Sequence, residues 1–117
     1  SSRCWHALAD ASFAATSESR RRAAELVECA SSDNVAPSLA IQVLARRELT
    51  DEAFSIIRDQ QQSGRFWIGD LFFPVTAALR RDPRFAALVE EAEILTYWRD
   101  FGWPDFCSEP GLVVACR

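Results

Sequence analysis

Cys4, His6 and Asp10 lie within seven residues of one another near the start of this 117-residue chain. A thiol, an imidazole and a carboxylate are the parts from which nucleophilic catalysis or zinc binding is assembled. Their spacing works against both. On a helix, a two-residue step turns side chains about 200° apart, so Cys4 and His6 could share a metal only if that segment were unwound. His6 is the only histidine, which excludes any site that needs two, and Cys4, Cys29, Cys107 and Cys116 include no CxxC pair. No G-x-S-x-G turn follows a strand to present a nucleophile. Glu90, Glu91 and Glu93 gather three carboxylates, but as neighbours on one helix they read as a solvated face. These residues imply no enzyme, no metal and no cofactor.

Four cysteines could still pair, Cys107 with Cys116 or with an amino-terminal partner. A chain of this length buries roughly two thirds of its unfolded surface and can build a core without staples. The expectation is therefore four free thiols in a cytoplasmic domain. An upstream membrane helix in a longer chain would instead put the domain in the periplasm and favour bridges.

Composition narrows the class. With 49% hydrophobic residues, four Gly and five Pro the chain is globular, and no apolar run approaches the ~18 residues of a membrane span. No membrane insertion is expected. The net charge of −4 repels nucleic acid despite the local cluster Arg20, Arg21 and Arg22, which reads as an exposed helix start. All 13 basic residues are arginine, a bias that points to a GC-rich, bacterial coding sequence. The absence of Met and the opening Ser1-Ser2-Arg3 lead us to expect a segment of a longer protein.

Periodicity and caps predict helices near 3 to 16, 19 to 31, 35 to 47, 50 to 62, 74 to 80, 83 to 92 and 94 to 101. The polar cluster Thr16 to Ser19 reads as a turn with N-cap residues. Thr50 reads as an N-cap, with Asp51 and Glu52 favouring the helix dipole behind it. Asp82-Pro83 is the sharpest boundary, because Asp82 can cap and Pro83 fits the first helical position. Gly102 reads as a left-handed C-terminal cap, with Pro104 beyond it. "LVVAC" at 112 to 116 is too short and isolated to form a sheet alone. The expected fold is all-α, a single helical domain over 1–117 in three stretches: helical hairpins over 1–64, aromatic-rich capping helices over 65–107 and an irregular tail over 108–117.

The segment "LAIQVLARRELTDEAFSII", residues 39 to 57, resembles a tetratricopeptide hairpin, with a short turn before "DEAF" and the small Ala53 where helices approach. Aligning Ala23 with Ala53 gives a spacing of 30 instead of the usual 34. The ordered motifs "RRDPRF", "YWR" and "WPDFC" are similar to the carboxy-terminal ends of tetratricopeptide-like regions in bacterial multidomain regulatory proteins. Some of those carry an amino-terminal winged-helix or nucleotide-cyclase domain. The resemblance implies a solenoid fragment closed by terminal helices. Where such proteins have a glycine-containing break, this chain has Glu93, which leaves open whether the last two helices are separate.

Ten of the thirteen aromatic residues fall between Phe66 and Phe106. They can plug the end of a helical stack whose missing neighbour would have covered it, or form a surface for a partner. The "YWRDFGWPDFC" end, with Tyr97, Trp98 and Phe101 sharing one helix face, is expected to fold onto the domain. Trp67, Phe72, Phe73 and Trp103 are the candidate partner-binding residues, with Trp67 the best placed for exposure. The function expected is a noncatalytic scaffold for a protein partner. The alternative is a small-molecule-sensing domain with an apolar pocket that controls an absent effector.

Overall fold

Two prolines mark helix starts that local chemistry dictates. Pro37 and Pro83 each occupy a first helical turn, where the missing N–H costs nothing. Ahead of Pro83, the Asp82 carboxylate accepts from the Arg84 backbone N–H at 2.9 Å. The computed structural model of the chain describes residues 2–66, 68–105, 107–108 and 115–117. Among these, the helices are α1 (Ser2–Phe13), α2 (Thr16–Ser31), α3 (Pro37–Arg46), α4 (Thr50–Gln62), α5 (Ala77–Arg80), α6 (Pro83–Glu91) and α7 (Ile94–Phe101). Turns of 3-10 helix occupy Ile68–Leu71 and Pro74–Thr76, so the helix expected over 74 to 80 begins with a tighter turn. Among the described residues the protein is all-α apart from one small strand pair. No described helix is long and apolar enough to cross a membrane.

The chain divides into two compact units, Ser1–Trp67 and Ile68–Arg117. In the first, α1 packs along α2 and α3 along α4, while α2 also meets α3 and α4. Alanine governs this packing: Ala7, Ala11, Ala23, Ala30, Ala40 and Ala53 are all essentially inaccessible. Small side chains let helix axes approach closely, and Leu26, Ile41, Leu44, Ile56 and Ile57 fill the remaining space.

Helix ends here are satisfied from a distance. Ser19 does not cap its own helix, because α2 already begins at Thr16 after Ala15. Its buried hydroxyl instead donates to the carbonyls of Asp10 at 3.1 Å and Ala11 at 3.2 Å, in the last turn of α1. Arg47 adds bonds to the carbonyls of Ala11 and Ala14. Thr50 likewise lies inside α4, behind Leu49, with no side-chain capping bond. In both places the backbone enters the helix earlier than a hydroxyl cap would require.

Three helices end on a non-glycine residue in the left-handed region: Asp33 (φ 58), Glu48 (φ 59) and Glu93 (φ 57). After α3, Glu48 N–H donates to the Ala45 carbonyl and Leu49 N–H to Leu44, which returns the chain sharply. Glu93 does the same work between α6 and α7, so these are separate helices. Gly102 leaves α7 at φ 117 and ψ 149. This extended, positive-φ conformation replaces the left-handed cap expected and is open in practice only to glycine.

The cysteines are not free. Cys4 bonds to Cys29 and Cys107 to Cys116, and no described cysteine remains a thiol. The first bridge follows from the α1–α2 hairpin, which sets the start of one helix beside the end of the other, with Cα atoms 5.7 Å apart. Both sulfur-bearing residues are buried there. The second accompanies a ladder between β1 (Cys107–Ser108) and β2 (Ala115–Cys116) in antiparallel register, Cys107 opposite Cys116. The ends of the tail expected to be irregular therefore pair with each other; "LVVAC" lies outside the described residues except at Ala115 and Cys116.

Candidate partner-binding surface

The second unit builds its interior from aliphatic side chains such as Leu71, Leu79 and Val89, together with a ring cluster and one buried guanidinium. Phe72 meets Phe85 edge-on with centroids 6.0 Å apart, and also lies 6.0 Å from Trp98. Trp98 in turn packs 5.4 Å from Trp103. Phe85 and Trp98 are buried, whereas Phe72 and Trp103 are half-buried. Such tilted and edge-to-face pairs add to the gain from burial itself.

Between these short helices, Arg80 ties separate backbone segments together. Its buried side chain donates to the carbonyls of Leu71, Phe73 and Arg117 at 2.7–2.8 Å and to the Thr76 hydroxyl at 3.2 Å. Desolvation lowers its pKa, although the guanidinium stays charged. At the start of α6, hydrogen bonds from Arg84 hold the Asp82 carboxyl below the ordinary carboxylate range. Burial pushes the Asp70 carboxyl the other way.

On this base α7 presents two faces. Leu95 and Trp98 point inward, while Tyr97 and Phe101 point outward at 60% and 76% exposure. Those outer rings stack on each other with centroids 4.9 Å apart. The expectation that Tyr97, Trp98 and Phe101 share one buried face therefore holds for Trp98 alone. Adjacent residues lie about 100° apart on a helix, so i and i+4 align while i+1 turns away. An open groove of about 780 Å³ runs past the exposed pair, lined by Glu90, Glu93, Leu95, Tyr97, Asp100 and Phe101, with Arg99 and Thr96. Three carboxylates against one guanidinium give it an acidic rim.

The candidate partner residues separate accordingly. Phe72 and Trp103 join the ring cluster, Phe73 is 45% exposed, and Trp67 lies outside the described residues. Tyr97 and Phe101 are exposed although the sequence reading folds them onto the domain, and so are Trp5 at 59% and Phe13 at 85%, which the helical period sets on the apolar side of α1 while Cys4, Ala7 and Ala11 are the residues buried there. The signal for Tyr97 and Phe101 was their i, i+4 spacing beside acidic Glu93 and Asp100.

No family model matches this chain, and neither curated proteins nor solved structures supply a match.

The chemistry weighed around Cys4 has no support in this geometry. Cys4 is committed to a disulfide, His6 is exposed, and the described residues contain no group of three or more side chains suited to a metal ion. The arginine cluster is largely internal to the surface network. Arg21 pairs with Glu18 at 2.6 Å, and Arg22 reaches Glu25 at 3.2 Å and Asp10 at 3.5 Å. Arg20 alone of the three stands exposed without a carboxylate among the described residues.

Proposed function

We propose that this chain is a noncatalytic protein-interaction module whose outer α7 face receives a basic, partly apolar segment of a partner protein. The observation that carries this reading is the Tyr97–Phe101 pair, stacked in water on a helix whose inner face already anchors the unit through Trp98. Exposed, pre-stacked rings offer contact area at low ordering cost, and tyrosine is a favoured hot-spot residue. The carboxylates of Glu90, Glu93 and Asp100 favour a cationic partner and speed its approach.

The reading of the first unit as a tetratricopeptide-like scaffold rests on helix pairing, and its place in the carboxy-terminal part of a larger bacterial regulatory protein rests on the motif resemblance alone. The helix pairing is the serial contact of two helical hairpins, α1–α2 and α3–α4, with Ala23 and Ala53 buried on the second helix of each. Two disulfides favour an oxidising compartment such as the periplasm over the cytoplasm expected from the sequence.

Titration with a synthetic peptide that alternates arginine and leucine tests the surface. Amide shifts should concentrate on α7, and Tyr97→Ser with Phe101→Ser should abolish them while leaving the melting temperature within about 2 °C, as expected for exposed side chains. Shifts that survive the double substitution, or a variant that unfolds, would reassign the pair to the fold.

A further inference from the structure

A second concavity, in the first unit, has the opposite character. A pocket of about 340 Å³ is lined by Thr16, Ser19, Arg20, Arg46, Arg47 and Glu48, with Leu49. Three arginines and one glutamate are among its lining residues, in a chain whose net charge is −4. Its local sign is therefore inverted relative to the molecule, which is the pattern expected where an anion is drawn to one spot on an acidic protein.

The three arginines are not equivalent. Arg47 is held by the carbonyls of Ala11 and Ala14 at the end of α1, so its charge is fixed in place. Arg20 and Arg46 are exposed and engage no carboxylate among the described residues, although Arg3, Arg21, Arg22 and Arg65 each pair with one. Two free planar forks beside a fixed third charge match the oxygens of a phosphate group, which accepts bidentate hydrogen bonds from guanidinium. The first turn of α2 adds to this: Thr16 borders the pocket, and Ala15 before it supplies no side-chain acceptor for the terminal amides. The volume exceeds what one phosphate fills and lies at the lower end of small-ligand sites.

We propose that this pocket binds the phosphate group of a small anionic ligand, with Arg20 and Arg46 as its movable clamps and Arg47 as a fixed charge. Glu48 opposes the anion and lowers the affinity of the pocket for it.

Calorimetric titration of the 117-residue chain with pyrophosphate tests the assignment. Saturable one-to-one binding should weaken about tenfold or more in Arg20→Gln with Arg46→Gln, as expected for lost charge-assisted bonds. Glu48→Gln should tighten it roughly threefold by removing a like charge. Arg58→Gln, an exposed arginine outside the pocket, should change nothing. Because Glu48→Gln acts in the opposite direction to the arginine variants, loss of folding cannot imitate the pattern. Equal affinity for citrate would overturn the phosphate assignment. Absence of saturable heat, heat abolished by about 150 mM chloride, or equal weakening by Arg58→Gln would mean an adventitious ion only, and would overturn the site.

Discussion

The two units solve the problem of a small core by different means. Residues Ser1–Trp67 use helices of 10 to 16 residues with alanine-rich contact faces, so most backbone groups are satisfied within the helices and close axial approach supplies the packing. Residues Ile68–Arg117 have helices of only 4 to 9 residues, whose ends outnumber their interior turns. They compensate with bulk, through the Phe85–Phe72–Trp98–Trp103 ring cluster, and with a buried arginine that serves four acceptors. Backbone economy thus decides where aromatic and polar side chains become necessary, and the aromatic crowding near the end of the chain follows from short helices.

The largest test of that contrast is Trp98→Ala. Removing a buried tryptophan costs about 3–5 kcal/mol, a large share of a small domain's stability. The thermal midpoint should fall steeply, or soluble expression should fail. A variant that melts like the parent would show that the ring cluster is not what holds the second unit.

Each unit also carries one bridge, and chain-entropy reasoning ranks them. The Cys4–Cys29 bridge spans a sequence separation of 25 and the Cys107–Cys116 bridge a separation of 9. Their removal should cost roughly 3–4 and 2.5 kcal/mol respectively. Denaturant titrations of Cys4→Ala with Cys29→Ala, and of Cys107→Ala with Cys116→Ala, should reproduce that order. Thiol titration of the unreduced, denatured protein should find no reactive sulfur; four reactive thiols would restore the cytoplasmic expectation.

A smaller effect, and one with a pH signature, comes from the cap of α6. Asp82→Ala should cost about 1 kcal/mol at neutral pH. Because the folded carboxyl titrates below its unfolded value near 3.9, its contribution is complete above that value and lost as pH falls through the folded pKa. The stability difference between parent and variant should accordingly be flat from pH 6 to 8 and close in acid. A difference that grows on acidification would contradict the Asp82–Arg84 account.

The smallest expected change has the reverse sign. Glu93 holds a left-handed conformation that glycine adopts without strain, so Glu93→Gly should stabilise by about 0.5–1 kcal/mol. Gly102→Ala, at the other end of α7, should instead destabilise by about 1–3 kcal/mol. No atom outside its own chain neighbours lies within 4 Å of a Cβ built at Gly102, so the penalty is conformational and not steric crowding. The two measurements separate a tolerated turn residue from an obligatory one.

What the sequence determined by itself is the helical order. The 3.6-residue period marks where helices lie, although in α1 and α7 large rings it sets on the apolar side face water; α4 and α7 have the expected bounds because periodic burial and chain-breaking residues act within a few positions of each other. Asp82-Pro83 was legible for the same reason. Features that depend on neighbours distant along the chain were not. Cysteine pairing requires knowing that α1 and α2 form a hairpin that sets Cys4 against Cys29, and spacing alone names no partner. The capping of α1 by Ser19 and Arg47 likewise exists only once α2 and α3 are in place. So does the division of aromatics: Trp98 and Tyr97 are adjacent in sequence, and only the packing of α7 on the ring cluster buries one and leaves the other to water. Local backbone preference encodes where helices begin and end, whereas burial is a property of the assembled neighbours and is decided by tertiary structure.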